Sequence, residues 1–207
     1  MSVAERTVAA WPHRVVPGAA TGPVILALHG TGADEHDLLP LADLVAPGQP
    51  VLSPRGPVQE GPANRWFRRF AEGRFDLEDV ERRAAELAAW VEAAKQANGL
   101  AGRDVVAFGF SNGANIAAAL LLRQPGVLSG AVLLRAQATL EAGGPTAEGV
   151  PALLVSGAMD PIVPAGESAR LAEALRAAGV ALTHETVPAG HGLTQRDVAL
   201  ARGFLAT

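Results

Sequence analysis

The sequence contains no cysteine, which excludes disulfide bonds, zinc–thiolate sites and a cysteine nucleophile. It also lacks an excess of basic residues. Its formal net charge is −4, and because binding to a phosphate backbone needs positive charge, nucleic acid is not an expected partner. No stretch reaches the roughly 20 consecutive apolar residues that a membrane-spanning helix needs, so insertion into a membrane is not expected.

The first ten residues include Glu5 and Arg6 and have no continuous apolar run. They do not resemble a signal peptide, so the expected location is the cytoplasm. A chain of 207 residues, 49% of them apolar and 18% charged, can bury a substantial core and has the composition of a compact globular protein. Residues 1–207 are therefore predicted to form a single domain, with a monomer and a homodimer both left open.

Short apolar runs recur along the chain and are typical of strands that are buried on both faces of a parallel sheet. They occupy residues 24–28, 51–52, 105–108, 131–134 and 152–155. Residues 183–187 alternate more strongly and predict a strand nearer the edge of the sheet.

Helical patterns lie between these runs. Residues 76–98 carry one apolar stripe, and Asp76 with Asp79 is expected to cap its start. Further helices are predicted at residues 114–123, 166–178 and 194–205, and one is predicted to begin near Glu35. Strands that alternate with helices predict an α/β fold, with a mostly parallel central sheet, helices on both faces and no large lid. Ligands of such sheets bind at the carboxyl ends of the strands.

The segment Gly109-Phe110-Ser111-Asn112-Gly113 directly follows a predicted strand and precedes a predicted helix. The pattern Gly-x-Ser-x-Gly in this setting is typical of a nucleophile elbow, a sharp turn that lifts the serine hydroxyl into a cleft. The two glycines are needed because side chains there would collide with the neighbouring strand and helix. An incidental serine in a tight turn is the alternative, and the residues below favour the catalytic interpretation.

A nucleophilic serine needs a base and an acid that orients the base, in the chain order Ser, Asp or Glu, His. Two histidines follow Ser111. His184 lies inside the predicted edge strand, whereas His191 lies between two glycines just beyond it, so His191 is the predicted base. Asp160 follows the strand at residues 152–155 and is the predicted acid, ahead of Glu148 and Glu167, which are less well placed.

Acyl transfer also needs hydrogen-bond donors that stabilise the oxyanion. One predicted donor is the N–H of Asn112, next to the nucleophile, and the other is the N–H of Thr31 in the glycine-bearing loop after the first buried strand. His29, at the end of that strand, is expected to be structural.

Taken together, these segments resemble the phospholipase/carboxylesterase family of α/β-hydrolases, which includes acyl-protein thioesterases and small bacterial carboxylesterases. The resemblance covers about residues 24–207. Residues 65–69, residues 73–76 and Leu134-Arg135 are similar to the branch of hydroquinone-linked carboxylesterases, although Ala136-Gln137-Ala138 departs from that branch where a proline and a bulkier apolar residue are expected. The resemblance implies an α/β-hydrolase fold and hydrolysis of carboxylic esters, with no cofactor and no metal.

Residues 61–75 are the candidate for a partial cover over the cleft. Trp66, Phe67 and Phe70 are predicted to line an apolar acyl pocket, with packing of the loop onto the core as an equal alternative. The nearby arginines could attract an anionic substrate, but the acidic residues around them favour a surface of salt bridges.

The predicted function is that of a serine carboxylesterase that hydrolyses small or short-chain esters through an acyl-enzyme on Ser111, with a small-molecule ester as its partner. A thioesterase or a lactone or amide hydrolase with the same triad is an alternative. A ligand-binding protein on a hydrolase scaffold is a further one, which the intact triad disfavours.

Overall fold

A seven-stranded sheet forms the centre of the protein in the computed structural model, which describes residues 10–144 and 146–206. The prediction that no signal peptide is present concerns residues 1–10, of which residues 1–9 lie outside the described residues. The order of the strands is β1 (His13–Val16), β3 (Val51–Pro54), β2 (Val24–Leu28), β8 (Val105–Phe110), β9 (Gly130–Leu134), β10 (Pro151–Gly157) and β11 (Ala181–Val187). Only β1 is antiparallel to its neighbour, and each of the other pairs within this sheet is parallel.

Five helices cover the two faces of the sheet in the described part of the chain: α1 (Leu39–Val45), α2 (Leu77–Ala97), α3 (Asn112–Arg123), α4 (Ala165–Ala177) and α5 (Gln195–Leu205). Alternate residues of the buried strands face opposite ways. Leu26 and Leu28 pack with α2, α3 and α4, whereas Ile25 and Ala27 pack with α1 and α5. The predicted α/β fold with a mostly parallel sheet and helices on both faces is confirmed, as are all six predicted strands. No described helix is both long enough and apolar enough to cross a membrane.

The helices differ from the prediction at two places, one in a capping residue and one in a boundary. Asp76 caps α2 by accepting a hydrogen bond from the Asp79 N–H, but Asp79 itself is buried and accepts from the Arg68 N–H instead of capping. The helix predicted near Glu35 begins only at Leu39, after a turn. The Glu35 carboxylate accepts two hydrogen bonds from Arg55, from Nε at 2.5 Å and from Nη2 at 2.8 Å. This bidentate pair holds the segment around Glu35 as a loop.

Short strands account for the elements that the sequence did not indicate. Besides β1, two small hairpins stand between β3 and α2: β4 (Val58–Glu60) with β5 (Ala63–Arg65), and β6 (Arg69–Ala71) with β7 (Arg74–Phe75). Strands of two to four residues have too few positions to show an alternating pattern. These hairpins occupy the segment predicted to cover the cleft.

Candidate active site

Ser111 lies at the turn between β8 and α3 with backbone angles φ 52° and ψ −117°, in the left-handed region that non-glycine residues rarely adopt. The glycines on either side make this turn possible. A β-carbon on Gly113 would lie 1.9 Å from the carbonyl oxygen of Leu28, and one on Gly109 would lie 2.8 Å from the backbone of Ala114. The strand, the turn and the helix are therefore pressed together as the elbow pattern predicts.

His191 lies in the loop between β11 and α5 and reaches both of its predicted partners. Its Nδ1 is 2.8 Å from Asp160 Oδ2, and its Nε2 is 2.9 Å from Ser111 Oγ. Since the carboxylate can only accept, Nδ1 carries the proton and Nε2 accepts from the serine hydroxyl. The structure thus brings the three residues into one hydrogen-bonded chain.

Asp160 is fixed by the loop that follows β10. Its Oδ1 accepts from the N–H groups of Ile162 and Val163 at 2.8 and 3.0 Å, which leaves Oδ2 for His191. Burial alone would raise the pKa of Asp160, but the hydrogen bonds from Val163, His191 and Ile162 outweigh it and hold this pKa below its usual value. The carboxylate therefore remains ionised beside the imidazole at neutral pH.

The rejected candidates have other partners. His184 lies in β11, where its Nε2 is 2.9 Å from Ser156 Oγ, and burial lowers its pKa. Glu167 is in α4 and accepts hydrogen bonds from Arg170. The second serine–histidine pair, Ser156 with His184, has no strained turn at its serine, since Ser156 continues β10.

The two predicted oxyanion donors, Thr31 and Asn112, line the same cavity as Ser111 and His191. Asn112 is the first residue of α3, where backbone N–H groups have no acceptor within the helix. Side chains and backbone from β5 and just after it hold both residues. Arg65 Nη1 donates to Thr31 Oγ1 at 3.0 Å, and the Trp66 N–H donates to Asn112 Oδ1 at 2.8 Å.

His29 has the structural role expected from the sequence. Its Nε2 accepts from the Gly56 N–H at 2.9 Å, so Nδ1 carries the proton and donates to the Gly30 carbonyl at 2.7 Å. Burial lowers the pKa of His29, so the imidazole stays neutral. Its two hydrogen bonds connect the Thr31 loop to the segment after β3.

The cavity above Ser111 has a volume of about 260 Å³. Its wall combines polar and apolar side chains in similar measure. Besides the residues named above, it is formed by the polar or charged Arg69, Glu72, Asn115 and Gln137 and by the apolar Phe75, Phe110 and Ile162. Asn115 Oδ1 accepts from the Gln137 N–H at 2.9 Å, so this polar side of the cavity is itself ordered.

The structure places the three aromatic residues predicted for the acyl pocket elsewhere. Trp66 and Phe67 are buried in the core, where Trp66 packs against His29 and Phe67 against Phe75, and Phe70 is 72% exposed. The pocket interpretation is therefore corrected, whereas the equal alternative, packing onto the core, holds for Trp66 and Phe67. The chain turns between the two hairpins, so that both adjacent aromatics face inward while Phe70 faces solvent. Phe75 and Phe110 contribute the aromatic side chains of the cavity wall instead.

Three arginines of this segment, Arg65, Arg68 and Arg69, are paired with carboxylates, as the acidic residues around them led us to expect. Arg68 bonds Asp76, and Arg69 bonds Glu60 and Glu72. Sequence reasoning missed Asn115 and Gln137 as cavity residues. Asn115 could have been found, since it stands one helical turn after Ser111 and so shares the face of α3 that points to the cleft.

One group outside the cavity has the residue types of a metal site. Ligand atoms of Asp34, Glu35 and His36 lie within 4.8 Å of one another. They already have protein partners: Arg55 binds Glu35, and Arg14 donates to His36 Nε2 at 2.7 Å. Nothing in this group points to a role in the site of Ser111.

Residues 13–207 match the phospholipase/carboxylesterase family, and the chain belongs to this family of hydrolases. It is 38% identical over 180 residues to a Bacillus subtilis (strain 168) protein named as a hydrolase, MhqD, with 86% of this chain and 90% of that protein covered.

Solved structures agree with this assignment. The carboxylesterase of Bacillus cereus superimposes with a TM-score of 0.93 at 36% identity and covers 99% of both chains. The carboxylesterase of Mesorhizobium loti superimposes with a TM-score of 0.89 at 30% identity and covers 95% of both chains. The α/β-hydrolase fold expected from the sequence is thereby confirmed.

Proposed function

We propose that the protein is a serine carboxylesterase that hydrolyses small or short-chain carboxylic esters and acts as one domain, without a cofactor or metal. The observation that carries the proposal is the hydrogen-bonded chain from Asp160 through His191 to Ser111, with its two contacts of 2.8 and 2.9 Å. A strained serine that faces a cavity between two candidate oxyanion donors adds further support.

In the acylation step, Ser111 Oγ attacks the carbonyl carbon of the ester while His191 Nε2 takes the hydroxyl proton. The backbone N–H groups of Thr31 and Asn112 stabilise the negative charge that forms on the carbonyl oxygen. The C–O bond to the alcohol then breaks, and His191 gives its proton to the leaving oxygen. Asp160 stays ionised and stabilises the imidazolium that exists in between.

In the deacylation step, a water molecule attacks the acyl carbon and gives a proton to His191 Nε2. Collapse of the second tetrahedral intermediate breaks the bond to Ser111 Oγ, which recovers its proton from His191. The carboxylic acid leaves, and the site returns to its starting state with one ester and one water consumed.

The size and lining of the cavity support a small substrate. A volume of about 260 Å³ lies below the range of typical drug-sized pockets, and Phe75 and Ile162 limit its extent. Turnover of chromogenic esters is expected to fall from acetate through butyrate to octanoate. A preference for octanoate would contradict the short-chain assignment.

The central test compares the two serine–histidine pairs of the molecule. Ser111→Ala is expected to lower the turnover of a chromogenic acetate ester by a factor of about 10⁴ or more and to abolish labelling by a fluorophosphonate probe. The matched control is Ser156→Ala, which removes the hydroxyl beside His184 and is expected to keep both activities. Full turnover in folded Ser111→Ala would overturn the proposal.

A further inference from the structure

Arg135 follows directly after β9 and is completely buried, with 0% of its surface exposed. Its backbone adopts φ 56°, and among the described residues only Ser111 shares this left-handed conformation without being a glycine. The two lie side by side at the carboxyl ends of adjacent strands, joined through the Ser111 N–H, which donates to the Leu134 carbonyl at 2.8 Å. Strain of this kind persists only where the surroundings enforce it, and it concentrates at functional sites.

The guanidinium of Arg135 uses all five of its N–H groups. Its Nε donates to the Gly190 carbonyl at 2.9 Å, and its Nη2 donates to the Gly192 carbonyl at 3.2 Å. These two carbonyls flank His191 on either side. Nη1 donates to the Val155 carbonyl at 3.3 Å, and both Nη atoms bind the carboxylate of Asp197 at 2.7 and 2.9 Å.

Gly157 makes room for this arrangement at the end of β10. A β-carbon there would lie 2.5 Å from the Gly190 carbonyl oxygen and 3.2 Å from Arg135 Nε. The histidine loop thus approaches the sheet so closely that only glycine fits between them. Arg135 Nε lies beside this contact and donates to the same Gly190 carbonyl.

Asp197 keeps the guanidinium in place. It is also completely buried, and it closes a capping box with Thr194 at the start of α5. Burial would raise the pKa of Asp197, but the hydrogen bonds from Arg135 and Thr194 outweigh it and hold this pKa below its usual value. The carboxylate is therefore charged and serves as the counter-ion that a buried arginine requires.

We propose that Arg135 is a positioning residue for the catalytic base. It donates hydrogen bonds to the backbone carbonyls on both sides of His191 and thereby positions the imidazole between Ser111 and Asp160. The inference rests on the proposed function of that site. The imidazole must hold two hydrogen bonds at once, and a displacement of about 1 Å can lower a rate by about 10². Arg135 does not line the cavity, so its side chain acts on the reaction through the loop of His191 and not through contact with the substrate.

The test measures kcat and KM for a chromogenic acetate ester in Arg135→Met and Arg135→Lys. Arg135→Met is expected to lower kcat by a factor on the order of 10² while KM changes less than about threefold, since the substrate does not touch this residue. Lysine keeps the charge but cannot bind two carbonyls and a carboxylate in fork geometry, so kcat is expected to stay at least about tenfold low. Wild-type kcat in both variants would overturn the inference.

Two controls separate positioning from a merely structural role. Arg103→Met removes a guanidinium that likewise binds loop carbonyls, those of Ala19, Thr21 and Gly22, away from the site, and is expected to keep wild-type kcat. The double variant Arg135→Met/Asp197→Asn removes both buried charges and keeps an amide oxygen for the Thr194 N–H. It is expected to regain stability relative to Arg135→Met but not kcat. Recovery of kcat together with stability would show that the role is structural and would contradict the inference.

Ser111→Ala measured beside these variants distinguishes a failure of the proposed function from a failure of the role proposed for Arg135. If Ser111→Ala keeps its turnover, the proposed function itself fails. If Ser111→Ala loses turnover and the Arg135 variants keep theirs, only the role of Arg135 is refuted.

Discussion

The elbow that carries Ser111 and the loop that carries His191 are held in place by different means. At the elbow, close packing of the backbone holds the turn, because Gly109 and Gly113 let the strand, the turn and α3 approach one another without side chains between them. The histidine loop has no regular structure and depends on side chains from elsewhere, namely Asp160 on one side and Arg135 with Asp197 on the other.

This difference separates local from long-range control of a catalytic group. The conformation of the elbow depends on five consecutive residues, and it is sensitive to added side chains, which would collide with neighbouring atoms. The position of the histidine loop depends on charged and polar groups from three other segments, and it is sensitive to the loss of their charges. The following three changes act on the two regions separately.

The largest effect is expected at the elbow. Gly113→Ala places a methyl group 1.9 Å from the Leu28 carbonyl oxygen, which is backbone and cannot move without shifting β2. We expect a loss of about 3 kcal/mol or more in the free energy of unfolding, measured by urea denaturation, together with loss of turnover. Wild-type stability in this variant would contradict the tight packing of the elbow.

Acid is expected to affect the histidine loop. A carboxylate whose pKa is lowered in the folded state contributes stability that is complete above its unfolded pKa of about 3.9 and is lost as the pH falls through its folded pKa. The free energy of unfolding should therefore decrease as the pH is lowered from about 5 to about 3, because the pKa values of Asp160 and Asp197 are lowered, as are those of Asp34, Glu35, Glu60 and Asp76 elsewhere in the protein.

The double variant Arg135→Met/Asp197→Asn isolates the part of this loss that comes from Asp197. The variant keeps the other groups that titrate in acid, such as Asp160 and His29. Urea denaturation at a series of pH values should therefore show a shallower decrease in the free energy of unfolding than in the wild type. Parallel curves for the two proteins would show that Asp197 does not stabilise the fold through its charge.

The smallest effect is expected from an added methyl group in the histidine loop. A β-carbon on Gly192 would meet no atom within 4 Å, and its φ is not in the left-handed region. Gly192→Ala should change the free energy of unfolding by no more than about 0.5 kcal/mol and kcat by no more than about twofold. A loss as large as that of Gly113→Ala would remove the contrast between the two regions.

The sequence predicted the site to the extent that local geometry determines it. The elbow pattern limits which residue can be the nucleophile, and the order of strands limits where its partners follow, so Ser111, Asp160 and His191 could be singled out before their distances were known. The main part of the fold followed for the same reason, since five of its strands contain continuous apolar runs and β11 shows an alternating pattern.

The remainder depends on contacts that local patterns do not encode. The bonds of Arg135 reach residues 20, 55, 57 and 62 positions further along the chain, and no local signal indicates such pairings. The pocket prediction was wrong for a related reason. Trp66, Phe67 and Phe70 are aromatic residues in a segment of very short strands, where apolar character does not reveal which side faces the core.

The capping box of α5 also has a consequence for how the enzyme loses activity on heating. Asp197 both caps the first turn of α5 and serves as the counter-ion of Arg135, so fraying of that turn is expected to loosen the loop of His191 in the same event. Asp197 and Ala201 are the only residues of this helix that are fully buried, and its larger apolar side chains are only partly buried, which makes α5 a candidate for early local unfolding. The last helix of the chain, rather than the central sheet, is therefore expected to set the temperature at which turnover ends.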